Sequence, residues 1–322
     1  MTKEQPTSLL IGTESDLYRI DMAQAAGDNL LVARTVDGPQ GRVDALTSDR
    51  WGLYALVGGR SLWRQVDAQA LGQHVDGRWV QVAEVEGPPG RCLLATEDGL
   101  YVGTAEAHLL HLEDGVLQRV KGFDDAPGRD TWYTPWGGPP DTRSMSQGSD
   151  GTLYANVHVG GILRSADGER WAPTIEVDAD VHRVLAHPEV SEVVLAACAP
   201  GLGISHDRGD TWSIHHDGLH GRYCRAVAVA GGEVLVSAST GPFTDRAALY
   251  RRPLDGEGPF ERVTEGVPEW FPSNIDSLCL AAEGSTAAFG TAEGEIYRSG
   301  DGGRTWERTA TGLAEVRGVL LV

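Results

Sequence analysis

The chain has 322 residues, 41% hydrophobic and 23% charged, with 42 glycines and a formal net charge of −19. This composition is that of a globular chain rather than a disordered one. So strong a negative charge argues against nucleic acid or an anionic membrane as a general partner, since both need a basic face to release counterions. No apolar run approaches the eighteen residues of a membrane span, and Met1-Thr-Lys-Glu-Gln-Pro6 leads directly into the strand Ser8-Leu-Leu-Ile11 without the layout of a secretory signal. A cytoplasmic protein with no nucleic-acid and no membrane partner is expected.

From the N-terminus onward, short runs rich in Val, Leu and Tyr are separated by Gly, Asp and Pro, and helical periodicity is absent, which predicts an all-β chain. One kind of strand recurs, centred on Tyr18, Trp63 and Leu110 and, beyond an irregular insert from Phe123 to Pro140, on Leu163, Gly203, Tyr250 and Tyr297. Neighbouring centres lie 40 to 53 residues apart, and the distance from Tyr297 through the C-terminus and on from Met1 to Tyr18 is 43. The spacing is that of a repeat array whose ends meet. Cys92, Cys198, Cys224 and Cys279 all fall inside strand-like runs without CxxC spacing, so buried free thiols are expected, with only Cys224 set between polar neighbours, Tyr223 and Arg225.

Three of the recurring strands are followed by related strings. Ser205-His-Asp207-Arg-Gly209-Asp-Thr211-Trp212 and Ser299-Gly-Asp301-Gly-Gly303-Arg-Thr305-Trp306 share one pattern, and Ser165-Ala-Asp167-Gly-Glu-Arg-Trp171 is a copy shortened by one residue. Ser and Asp oxygens can accept from the turn's own N–H groups, glycine tolerates positive φ, and the Trp can plug the turn onto a sheet. These strings resemble the Asp-box, or bacterial neuraminidase repeat. The resemblance implies a β-propeller in which each box joins the third and fourth strands of a blade, on the face away from the ligand site.

With that register the chain divides into seven four-stranded antiparallel blades, at residues 8–38 with 314–322, 42–87, 90–123, 141–178, 180–219, 222–268 and 273–313. The final strand, Val316–Val322, supplies the innermost strand of the first blade and closes the ring, removing open edges.

Aligning the innermost strands gives a charged column: Asp44, Arg91, Arg143, Arg183, Arg225, Asp276 and Arg317, each two residues before an aliphatic residue or Met. A charge withdrawn from water needs a partner, and Asp276 lies between Arg225 and Arg317 around the ring, with Arg317 next to Asp44. Arg91, Arg143 and Arg183 have no acidic member of the column between them. Either loop acids such as Asp141, Asp178 or Asp180 offset them, or a bound anion does.

The same face collects the insert's Trp132, Tyr133 and Trp136, then His158, His182, His220 and Tyr223. Three imidazoles from successive blades are candidate acid–base groups or candidate ligands for a divalent transition metal such as Zn, Cu or Fe with an open position; no H-x-H or HExxH spacing supports the metal.

Enzymes of the sialidase group, by the same resemblance, carry an Arg-Ile-Pro motif near the first blade, a three-Arg carboxylate clamp, an Asp acid and a Tyr nucleophile paired with Glu. The first blade here reads Ser8-Leu-Leu-Ile-Gly12, so sialidase activity is not expected, although Arg143, Arg183 and Arg225 imitate the clamp and Tyr133 or Tyr223 the nucleophile. An inverting glycosidase needs two carboxylates about 6.5–9.5 Å apart, and Asp44 and Asp276, the only pair in the ring, are expected to be ion-paired. The expected function is a pocket at the top of the channel for a small anionic or polar aromatic molecule. In it Arg91, Arg143, Arg183 and Arg225 bind the anion, Trp132, Tyr133, Trp136 and Tyr223 wall the pocket, and His158, His182 and His220 orient or protonate the ligand. A lyase or hydrolase at that pocket, with or without a metal, and a protein-interaction scaffold remain as alternatives.

Overall fold

A computed structural model describes residues 5–22, 33–50, 52–66, 77–175, 179–256 and 258–322. Asp178, one of the loop acids expected to offset the arginines, and parts of the first, second, fourth and sixth predicted blades lie outside the described residues. The strands form seven separate four-stranded antiparallel sheets, the blades of a β-propeller. In blades 2 to 7 the strands run outward in chain order, and the innermost are Val43–Asp49, Gly90–Thr96, Thr142–Gln147, Val181–Ala186, Tyr223–Ala230 and Leu280–Glu283. In blade 1 the innermost strand is the C-terminal Val316–Leu321, paired with Ser8–Thr13 so that Leu9 faces Leu321 and Ile11 faces Val319. This pairing closes the ring. All seven recurring strand centres fall in the third strands.

The core lies between blades, where alternate side chains of neighbouring sheets meet. Between blades 6 and 7, Phe271, Phe289, Tyr297 and Trp306 form one aromatic cluster, with Phe289 against Trp306 at 4.9 Å between ring centroids. The four cysteines are free and buried, and burial pushes the Cys92 and Cys198 thiols up to about 12 and Cys224 and Cys279 higher still. None is a nucleophile at neutral pH. Among the described residues no helix is long and apolar enough to cross a membrane.

The three related strings fold as one kind of turn between third and fourth strands. Asp301 Oδ1 accepts from the N–H groups of Arg304 and Thr305 at 3.0 Å, Thr305 Oγ1 donates to Asp301 Oδ2 at 2.7 Å, Ser299 Oγ accepts from Gly303 N at 2.9 Å, and Trp306 Nε1 donates to Gly303 O at 3.0 Å. Asp207 and the shortened copy's Asp167 repeat the arrangement. Gly303 is required twice over, by φ +82° and because a Cβ there would lie 2.4 Å from Leu235 of blade 6. In the second copy Arg208 takes a left-handed conformation, φ 62°, held by ion pairs to Asp150 and Glu192 at 3.1 Å.

Six of the seven innermost strands are irregular at the end where the chain enters them. The ladder skips one residue at Asp44, Arg91, Arg143, His182 and Arg317, and is interrupted between Cys224 and Val227. A β-bulge frees a residue from strand pairing and re-aims its side chain, which is how a column of charges is carried at the mouth of a channel whose walls are apolar. Two adjustments to the sequence alignment follow. In blade 5 the skipped residue is His182 rather than Arg183, and in blade 7 Asp276 precedes the strand, which starts at Leu280.

Candidate functional site

At the mouth of the channel a cavity of about 320 Å³ is lined by six members of the charged column, Asp44, Arg91, Arg143, Arg225, Asp276 and Arg317, together with Asp141. Most of these charges are already matched. Arg91 Nε lies 3.2 Å from Asp141 Oδ2, Arg225 is paired with Asp276, and Arg317 Nη1 is 3.3 Å from Glu315 Oε1. Asp44 is held by Arg42 Nε at 2.7 Å and by Gly59 N–H at 2.6 Å. The expected pairings of Arg317 with Asp276 and with Asp44 do not form: Arg317 and Asp44 each meet a partner two residues away along the chain, Glu315 and Arg42, and Asp276 is taken by Arg225 of the neighbouring blade.

Arg183 is absent from this lining. Its Nη1 donates across the channel to the carbonyl oxygens of Ser277 and Leu280 in blade 7, the latter at 2.8 Å. Burial lowers its pKa to about 10, so it stays charged. Its displacement by one place in the bulge sends the side chain down the channel instead of to the mouth, and of the four arginines expected to bind the anion, Arg91 and Arg225 are paired with carboxylates, Arg183 is bonded to carbonyls and Arg143 is left over. Arg143 is half-buried, and among the described residues it makes no hydrogen bond or ion pair. Burial first and the Arg225 guanidinium second hold its pKa below the ordinary arginine value, against the pull of Asp141 and Asp276. It is the cation in the ring most in need of an anion.

Beside it runs a series of rings from four segments. Trp136 of the insert lies 5.1 Å from His158, His158 5.6 Å from His182, and His182 4.6 Å from Tyr223, between centroids. His158 occupies the hairpin between the second and third strands of blade 4, His182 the bulge of blade 5, and Tyr223 the start of blade 6, with the Arg225 guanidinium 5.7 Å from the Tyr223 ring. His182 is fully buried, and its Nδ1 lies 2.6 Å from the Cys224 carbonyl oxygen. A carbonyl only accepts, so Nδ1 carries the proton.

Between the two imidazoles sits Asp180, its Oδ1 3.0 Å from His158 Nε2 and 3.3 Å from His182 Nε2. All three atoms are buried, and none makes a hydrogen bond of acceptable direction. Burial lowers the pKa of His158, with the nearby Asp180 carboxylate opposing and the Arg143 charge reinforcing. For Asp180, burial raises the pKa but the two histidines outweigh it, and the carboxylate is held well below the usual range. Among the described residues, His158, Asp180 and His182 are the one group of three or more His, Cys, Asp or Glu side chains close enough to share a metal ion.

His220 does not join them. Its Nδ1 meets Tyr250 Oη at 2.7 Å and its Nε2 meets the Arg246 carbonyl at 2.9 Å, with Trp270 4.6 Å away. It lies in the segment arriving from the outer strand of blade 5, so it pins the rim of blade 6 and both its nitrogens are occupied. Trp132 is likewise removed from the pocket, buried against Phe123 and Trp171 with the Arg129 guanidinium 4.9 Å over its ring. Tyr133 and Trp136 are exposed, by 60% and 64%. Asp180, one of the loop acids that could offset the arginines, lies against the two histidines instead. The spacing Asp180-Val-His182 was the available signal, since residues two apart on an extended segment share a side.

No family model matches the sequence, and no curated protein matches it either. Solved structures do resemble it. A candidate 6-phosphogluconolactonase from Bacteroides uniformis superposes with a TM-score of 0.66 at 14% identity, over 99% of this chain and 100% of the other. YCF48 bound to D1 peptide gives a TM-score of 0.59 at 14% identity, over 96% and 90%. The GH74 xyloglucanase of Xanthomonas campestris gives 0.53 at 17%, over 83% of this chain and 45% of its own. At such identities the likeness is one of fold, in a group whose members include enzymes and interaction scaffolds.

Proposed function

We propose that the protein binds a small anionic or polar aromatic molecule at the mouth of its channel, with Arg143 receiving the anionic group and Trp136 and Tyr223 flanking the remainder. The observation carrying this reading is that, among the described residues, Arg143 makes no hydrogen bond or ion pair in a ring where the other arginines are paired or spent on carbonyl groups. A cavity of about 320 Å³ is at the small end of ligand pockets, which run from about 300 to 1,000 Å³. Screening carboxylates and phosphates by thermal melting tests it. A ligand at a hundred times its Kd stabilises by about 2.7 kcal/mol, a rise of several degrees for a chain this long, and Arg143→Gln should abolish that rise. Compounds that stabilise wild type and Arg143→Gln equally would sink the reading.

Turnover at the same site is a second reading, favoured by Asp180 set between two buried imidazoles. It is supported by a wild-type activity on a screened ligand that Asp180→Asn lowers through kcat with KM little changed.

A further inference from the structure

We propose that His158, Asp180 and His182 bind a divalent first-row transition-metal ion, with His158 Nε2, His182 Nε2 and Asp180 Oδ1 as ligands. His182 is fully buried and His158 is 8% exposed, yet the Nε2 atom of each, and the carboxylate oxygen between them, lacks a properly directed hydrogen bond. Each such atom is destabilising when left unsatisfied, and one cation satisfies all three.

The proton on His182 Nδ1 is fixed by the Cys224 carbonyl, so in the neutral ring the Nε2 lone pair faces a carboxylate oxygen 3.3 Å away. Two electron-rich atoms hold that approach only if positive charge lies between them. A ring whose far nitrogen donates to a backbone carbonyl is the usual arrangement of a metal-binding histidine. Metal–nitrogen and metal–oxygen bonds of about 2.0–2.2 Å at octahedral or tetrahedral angles separate ligand atoms by about 2.8–3.6 Å. The two nitrogen–oxygen distances, 3.0 and 3.3 Å, are already in that range.

Two imidazoles and one carboxylate suit Zn, Fe, Co or Mn in the divalent state. Calcium and magnesium prefer all-oxygen sets, and cuprous ion prefers sulfur. Three protein ligands leave at least one position open, as in metals that bind a reacting molecule. A divalent ion with one carboxylate leaves net positive charge beside Arg143, whose field already reaches His158. An oxyanion bridging the metal and Arg143 would relieve both; that coupling rests on the anion-site reading, whereas the metal site stands on its own ligands.

Chelator-treated protein titrated with Co²⁺ and followed by visible absorption tests the site. The expected result is one ion per chain, displaced by Zn²⁺, with affinity reduced by roughly a hundredfold or more in His158→Ala and in Asp180→Asn and unchanged in His220→Ala. His182 is central to packing, so the two other ligand variants carry the test, each checked for a cooperative melt without metal. Absence of stoichiometric binding, or binding that survives His158→Ala, overturns the site and leaves a proton as the charge between Asp180 and the rings. Inorganic phosphate, titrated with and without Zn²⁺, separates the two readings. Loss of phosphate binding in Arg143→Gln with Co²⁺ binding intact supports both sites, while phosphate binding untouched by Arg143→Gln overturns the anion site without touching the metal.

Discussion

Arg143 and Arg183 hold the same place in the sequence pattern of successive blades and end in different surroundings, one at the mouth with no hydrogen bond or ion pair among the described residues and the other bonded across the channel to Ser277 and Leu280. Arg183→Met fills similar volume but orphans two carbonyl oxygens, at about 1–3 kcal/mol each. Urea unfolding should show that loss while ligand binding persists, the reverse of Arg143→Gln. Unchanged or raised stability would mean that the cost of burying the Arg183 charge cancels its bonds. The charges themselves were legible in the sequence. Their partners were not, because a bulge displaced by one residue decides whether an arginine points to the mouth or down the channel, and no residue type at position 182 or 183 signals the displacement.

Among the elements, the turns at Ser205–Trp212 and Ser299–Trp306 were legible residue by residue, since each side chain satisfies a local backbone group. Their hydrogen bonds give a pH dependence. Turn bonds to Thr211 hold Asp207 at about 2; for Asp301 burial opposes, but the bonds to Thr305, Ser299 and Arg304 prevail and the value is again about 2. An unfolded aspartate titrates near 3.9. The folded pKa is depressed, so the stabilisation is complete above about pH 4 and is lost as pH falls towards 2. Asp301→Ala should therefore melt below wild type at pH 7, and the gap should close by about pH 2; a gap independent of pH would show that the charged form is not what the turn uses. The hairpin bearing His158 was less legible. Val159 follows it at φ 57°, a conformation uncommon for a β-branched residue, and nothing in Val157-His-Val-Gly160 announces it.

For the whole molecule, repeat spacing together with the returning C-terminal strand was enough to count the blades, because closure demands that the last interval match the others. The convergence of His158, Asp180 and His182 was only partly legible: it depends on which loops of adjacent blades reach inward, and His220, on the rim, looks the same in sequence as the two that do. Closure itself is testable. Deleting Val316–Val322 removes Val316, Val319 and Leu321, all buried, each contributing about 1.5–3 kcal/mol, and it exposes the edge of Ser8–Thr13. Against a total stability of about 5–15 kcal/mol, the shortened chain should lose its cooperative melt and regain it when the heptapeptide is supplied in trans. A shortened chain melting like the full one would show that the ring holds without this strand.

The bulged entrances to the innermost strands have one more consequence. A residue that the ladder skips can be exchanged without altering any strand pairing, and this molecule already carries Asp and Arg at such positions, with the buried His182 the packed exception. The mouth is in effect a circle of interchangeable sockets, uncoupled from the code that folds the blades. Its selectivity can be rewritten one socket at a time, by natural drift or by an engineer, with the scaffold left as it is.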